Sequence, residues 1–210
     1  MFGIHDLPLF IVSGLLLNLL PGPDSLLIVS RSAAQGWRAG SVASFGVGAG
    51  IFVHVLGAAV GLSAVLATSA TAFALVKYAG AAYLLYVGIS LLLSKAPAEQ
   101  RAASLPAQSY RRIFLQGFLT NALNPKVAIF FLAFVPQFIA PESPDKALAF
   151  VLLGCIFNLN GMLWCHALAF GAAYAGQRVR LGSTQVLWLN RLVGVFFVGL
   201  GLRLALSQRA

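Results

Sequence analysis

The chain has 210 residues, 60% of them hydrophobic and only 9% charged, with a mean hydropathy of +0.89. No water-soluble domain of this length needs so much apolar surface for its core, so the composition excludes a soluble globular protein and points to a bundle of membrane helices. The formal net charge of +9 is read as lysine and arginine gathered in cytoplasmic loops, not as a nucleic-acid surface.

Six apolar segments follow one another at about 7–30, 40–67, 71–93, 112–140, 147–173 and 186–206, each long enough for the ~20 residues of a span. Their runs are continuous, where a membrane barrel would show short alternating segments, so the spans are helical. Met1 to Asp6 carries no Lys or Arg ahead of the first run, which is therefore taken as a retained span and not as a signal peptide.

The first segment is interrupted by Asn18-Leu19-Leu20-Pro21-Gly22-Pro23-Asp24-Ser25. Pro21 and Pro23 have no N–H and push their preceding residues out of the α region, so no helix runs through them unperturbed. The fourth segment is interrupted in the same way by Asn121-Ala122-Leu123-Asn124-Pro125-Lys126. Broken helices survive in a bilayer only where protein or a wet cavity satisfies the freed backbone groups, and charges there are usually functional. The two breaks are thus expected to wall one polar site.

Residues 94–111 are the only long polar connection, and they divide the chain into residues 1–93, a cytoplasmic linker, and residues 112–210. When Pro23 is set over Pro125, Asp24 falls over Lys126, which suggests an internal repeat. A unit of three spans re-enters the bilayer upside down, so the expected fold is all-α, with six transmembrane helices forming two inverted three-helix repeats and breaks in helices one and four. Loops one, three and five hold Arg31, Arg38, Lys95, Arg101, Arg111, Arg112, Arg178 and Arg180; the opposite ends hold Lys146, Arg203 and Arg209. That bias puts the three loops in the cytoplasm and both termini outside.

Asp24 opens a half-helix, where free N–H groups and the helix dipole stabilise a carboxylate. Lys126 sits at the equivalent place, where the dipole disfavours a cation, so it needs an anion nearby: Asp24 or a bound carboxylate. Such a pair suits a site that exchanges partners with a zwitterion, whose ammonium would take Asp24 and whose carboxylate Lys126. Asn18, Asn121, Asn124 and Gly22 are the further binding candidates; capping the breaks is the competing role of the asparagines. His54, near the middle of the second span, is a candidate proton relay with Asp24, against the commoner role of an interhelical hydrogen-bond partner. Cys155 and Cys165 project in different directions from one helix and are expected to be buried free thiols. No ligand spacing for a metal, no phosphate-binding loop and no hydrolase motif is visible, so neither a cofactor nor an enzyme activity is expected.

At these residues the chain closely resembles the LysE/RhtB family of amino-acid exporters. The likeness rests on Pro21-Gly22-Pro23 with Gly36-x-x-x-Gly40, on Lys77-x-x-Gly80-Ala81-x-Tyr83-Leu84-x-Tyr86-x-Gly88, and on Gly117-x-x-x-Asn121-x-x-Asn124-Pro125-Lys126. It continues through Phe131, Phe134, Pro136-Gln137-Phe138 and Asn190-Arg191-x-x-Gly194. The resemblance implies a six-span inner-membrane protein that expels amino acids or related compounds, driven by the proton gradient. Its partners would be a small-molecule substrate and the lipid bilayer, with a homodimer left open. With Asp24 as the lone intramembrane acid, a neutral zwitterion fits better than a dication such as lysine. A cation exporter of similar topology and a non-transporting accessory protein are the alternatives; the first would want more carboxylate, thiol or imidazole ligands.

Overall fold

The computed structural model describes residues 2–62, 70–94, 106–174 and 183–206. Linker residues 95–105, together with Arg178, Arg180 and Arg209, lie outside the described residues.

The first break forms where the prolines demand it. Helix α1 (Leu7–Leu19) stops at an extended Leu20, and α2 (Pro23–Gln35) starts after an extended Gly22, with Pro23 at its first position. A proline there loses nothing, because the first-turn N–H groups have no helical partner in any case. The two half-helices meet at 56°. After α3 (Trp37–Gly57, running into a π turn Ala58–Leu62) and α4 (Ala70–Leu92), the second break repeats the construction. Helix α5 (Tyr110–Ala122) gives way at Leu123 and an extended Asn124 to α6 (Pro125–Ile129), and the stretch Pro125–Phe138 is bent by 45° from α5. Two long helices complete the chain, α7 (Lys146–Tyr174) and α8 (Ser183–Leu206).

The fourth segment holds an irregularity that the sequence reading did not anticipate. Beyond α6 the chain widens into a π turn, Phe130–Phe134, and then tightens into a 3₁₀ turn, Val135–Phe138. Pro136 explains the change: it has no N–H for the carbonyl four residues back, and the Val135 N–H reaches instead to the Phe130 carbonyl. The Gln137 side chain donates to the Ala133 carbonyl at 2.9 Å.

Among the described residues there are helices and no strands, with one isolated bridge between Ile4 and Ile139. Among the described residues three helices are long and apolar enough to cross a bilayer, or up to five if each bent pair is one span. Helix α8 occupies the sixth expected segment and packs along α4. This is an all-α membrane protein. Cys165 is buried, but Cys155 is exposed, which corrects the expectation of two buried thiols; positions ten apart on one helix face different ways. Arg31, counted among the loop cations, is likewise buried, donating to the Pro106 carbonyl at 3.3 Å and to Gln116 at 3.1 Å.

Lipid is as apolar as leucine, so helices in a bilayer are held by close approach more than by apolar burial. Gly46 and Gly50 of α3 and Gly117 of α5 provide it. A Cβ on Gly50 would lie 2.7 Å from the Phe118 carbonyl oxygen, and one on Gly117 would overlap the Ala43 carbonyl. Gly117→Val is therefore expected to lower stability by ~1–3 kcal/mol, as overpacking does, read as a lower Tm of the detergent-solubilised protein. Gly57→Ala, with nothing within 4 Å of its new methyl, is the neutral control.

Candidate functional site

The two breaks face each other across a hollow of about 30 Å³, room for one or two water molecules. Four elements wall it: the first break with Asn18, Gly22 and Asp24, the second with Asn121 and Lys126, and the middles of α3 and α7. Its level in the bundle is fixed by the packing above and below. On α3, Ile51 and Val55 belong to one apolar cluster and Ala39, Ala43 and Val47 to another; on α7, Phe150 and Phe157 belong to the first and Cys165 and Ala169 to the second. The hollow lies where one cluster ends and the other begins.

Pro21 and Pro125 each free a backbone carbonyl, and both of these carbonyls have found a partner. Pro21 cannot donate to the Leu17 carbonyl, and the Lys126 ammonium does so instead, at 3.3 Å. Pro125 cannot donate to the Asn121 carbonyl, which lies 2.9 Å from His54 Nε2 and 2.8 Å from the Asn124 N–H. His54 is thus an interhelical hydrogen-bond partner of the second break; it stacks on Phe131 and does not line the hollow. These bonds supply part of the backbone pairing that the interior of a bilayer requires.

Asp24 lies in the first turn of α2 and caps nothing. Its Oδ2 accepts from Asn121 Nδ2 at 2.9 Å and from Asn124 Nδ2 at 3.0 Å, while its buried Oδ1 has no hydrogen-bond partner. Asn124 does double duty, since its Oδ1 also accepts the Lys126 N–H at 3.0 Å and so caps α6. Because both asparagine amides must present N–H to the carboxylate, the Asn121 Oδ1 is left facing away from it, buried and unpartnered. Both residues are nearly inaccessible, at 1% and 4% exposure, so these bonds form where a charged acceptor is worth most.

Asp24 and Lys126 line the same hollow without touching. Among the described residues the ion pairs within 4.0 Å are His5–Asp6 and Arg203–Asp6. The carboxylate is held by amides and the ammonium by a main-chain carbonyl, which leaves both charges available. Asn18 Nδ2 is also buried without a partner, and Gly22 leaves room beside Lys126 Nζ, 3.4 Å from where its Cβ would stand. Pro21, Pro23 and Pro125 face outward; they shape the site and do not line it.

The sequence reading placed no site residue on α7. Asn158, Met162, Trp164 and Cys165 line the hollow from that helix, opposite Gly48 and Ile51 of α3. One available signal was Trp164 itself, an indole well inside a span when such rings prefer its ends.

The profile of the LysE type translocator family matches residues 15–208, taking in both breaks and every residue of the hollow. This chain belongs to that family. The translocator is a multi-pass bacterial membrane protein. The uncharacterized membrane protein YrhP of Bacillus subtilis (strain 168) is 29% identical to it, over 97% of this chain and 100% of its own length. The leucine efflux proteins of Salmonella typhimurium and Salmonella typhi are 28% identical, over 99% of this chain and 98% of their own. No solved structure is a significant match.

Asn124 offers a way to separate folding from translocation. Asn124→Ala removes a helix cap and a bond to Asp24, together ~1–3 kcal/mol, and should lower the translocator's Tm. Asn124→Ser keeps a capping oxygen but is too short to donate to Asp24, so stability is retained while transport falls. Equal loss of both properties in the serine variant would show that the amide bond to Asp24 has no separate role.

Proposed function

We propose that this translocator exports neutral α-amino acids across the bacterial inner membrane by alternating access, using the proton gradient. The observation that carries the reading is the pair of opposite charges on one hollow, each held by neutral groups and each with bonding capacity left over. A ligand bearing both signs satisfies them together, whereas a simple cation or anion leaves one buried charge facing its like. The leucine efflux relatives favour an apolar amino acid, as does the apolar part of the wall, Leu17, Ile51, Val127 and Phe157.

The halves are taken as inverted repeats rocking about the breaks. In support, helices at equivalent places pair with each other, α3 with α7 and α4 with α8, while α3 packs on α5 and α7 on α1. Asp24 and Lys126 hold the substrate, with Asn18, Asn121, Asn124 and Gly22 beside them. Asp24 carries the coupling proton, and His54, bonded to the carbonyl of the residue whose amide holds Asp24, is the second member of the relay. Loops one, three and five are cytoplasmic and both termini external.

Cells loaded with dipeptides of leucine, valine, threonine and lysine provide the test. Expression of the wild type should speed efflux of the neutral amino acids and not of lysine, and an uncoupler should abolish the gain. Efflux equal to the empty-vector control for the whole panel would reject the reading.

A further inference from the structure

Trp164 has no part in the arrangement of the breaks. It lies well inside α7, it lines the hollow, and its Nε1 is buried with no hydrogen-bond partner. An indole N–H only donates, and a buried one usually finds an acceptor. No neighbouring group accepts from it, although three residues of the same hollow leave side-chain oxygens unpartnered. The polar atoms left over around the hollow sort into two kinds. Asp24 Oδ1, Asn121 Oδ1 and Asn158 Oδ1 accept; Trp164 Nε1, Asn18 Nδ2 and the remaining protons of Lys126 Nζ donate. An α-ammonium brings donors to the first set and an α-carboxylate brings acceptors to the second.

We propose that Trp164 donates its indole N–H to the α-carboxylate of the bound amino acid, completing with Asn18 and Lys126 a carboxylate-binding set that makes this group a condition of transport. The inference rests on the transport reading above and adds a residue and a recognition rule to it. Amines lacking the carboxylate leave three donors facing nothing and are poor substrates. The rule is asymmetric: Trp164 reads one end of the ligand only, so its loss falls on that end.

The test uses the purified full chain in proteoliposomes, with counterflow of labelled L-leucine competed by leucine or by leucinol, which keeps the ammonium and replaces the carboxylate by a hydroxymethyl group. Trp164→Phe should raise the half-saturation concentration for leucine on the order of tenfold, the usual effect of losing one hydrogen bond to a charged group. The maximal rate and the inhibition constant of leucinol should stay within about twofold. Trp164→His, which retains a ring N–H, should recover part of the loss. An unchanged half-saturation for leucine in Trp164→Phe overturns the proposal, and so does a parallel shift for leucine and leucinol, which marks a packing defect. Wild-type protein that moves no leucine overturns the transport reading and this inference with it, an outcome distinct from either of the others.

Discussion

Asp24→Asn should reduce export by about two orders of magnitude while leaving the protein folded. The substitution is nearly isosteric, and an amide oxygen still accepts from Asn121 and Asn124, whose donors now hold Asp24 Oδ2. What changes is the unpartnered Oδ1, which becomes part of a neutral amide and loses its attraction for an ammonium. Leaving a buried charge without its counter-charge costs ~3–5 kcal/mol, enough for a loss of about 100-fold or more. Stability should not follow, because neutralising a buried, half-satisfied carboxylate removes a desolvation penalty along with the bonds. Initial efflux rates at matched membrane abundance, with the Tm in detergent, give the two readings. Efflux within a few fold of wild type would show that the carboxylate does not hold the substrate.

Lys126→Gln should produce a loss of similar size for a different reason. Glutamine still offers an N–H to the Leu17 carbonyl freed by Pro21, so the first break stays intact. The positive charge on the hollow is gone, and with it the counter-ion for a carboxylate. Lys126→Met goes further and strands the carbonyl, which should lower stability by an additional ~1–3 kcal/mol. Comparing the two separates charge from backbone accounting: both should fail in transport, and only methionine should melt early. The double variant Asp24→Asn with Lys126→Gln should not recover export, because the two charges do not pair with each other in this conformation and each serves the ligand. Recovery in the double variant would mean that their mutual balance, and not substrate binding, is what matters.

The spans and both breaks were legible because proline chemistry is local. Pro21, Pro23 and Pro125 dictate an interrupted helix whatever surrounds them, and the structure stops α1 and α5 within a few residues of them. The meeting of Asp24 and Lys126 on one hollow was also legible, from their shared register. Their separation was not: register says which residues share a level, and the two amides and the carbonyl that hold the charges apart depend on side-chain reach. Asn124 was read as a cap or a ligand group, and it is both a cap and the clamp on Asp24. The wall from α7 has no helix break to mark it, and its signals, Asn158 and Trp164, are isolated side chains in an otherwise apolar helix. Pro136 was visible, yet which carbonyl the Val135 N–H would take instead, and hence the π turn, was not to be read from its position alone.

The phenylalanine rings bear on how each side of the hollow takes up water. Phe10, Phe130, Phe131, Phe134, Phe138 and Phe157 lie in one cluster on one side of the hollow, with Phe130 and Phe157 centroids 4.7 Å apart, while the other side is closed chiefly by alanine, valine and isoleucine. The hollow thus has an apolar cluster on either side of it. The clusters are unequal, because parting phenyl rings wets far more hydrocarbon than parting methyl groups. The side of the hollow packed with phenyl rings is therefore the harder of the two to wet.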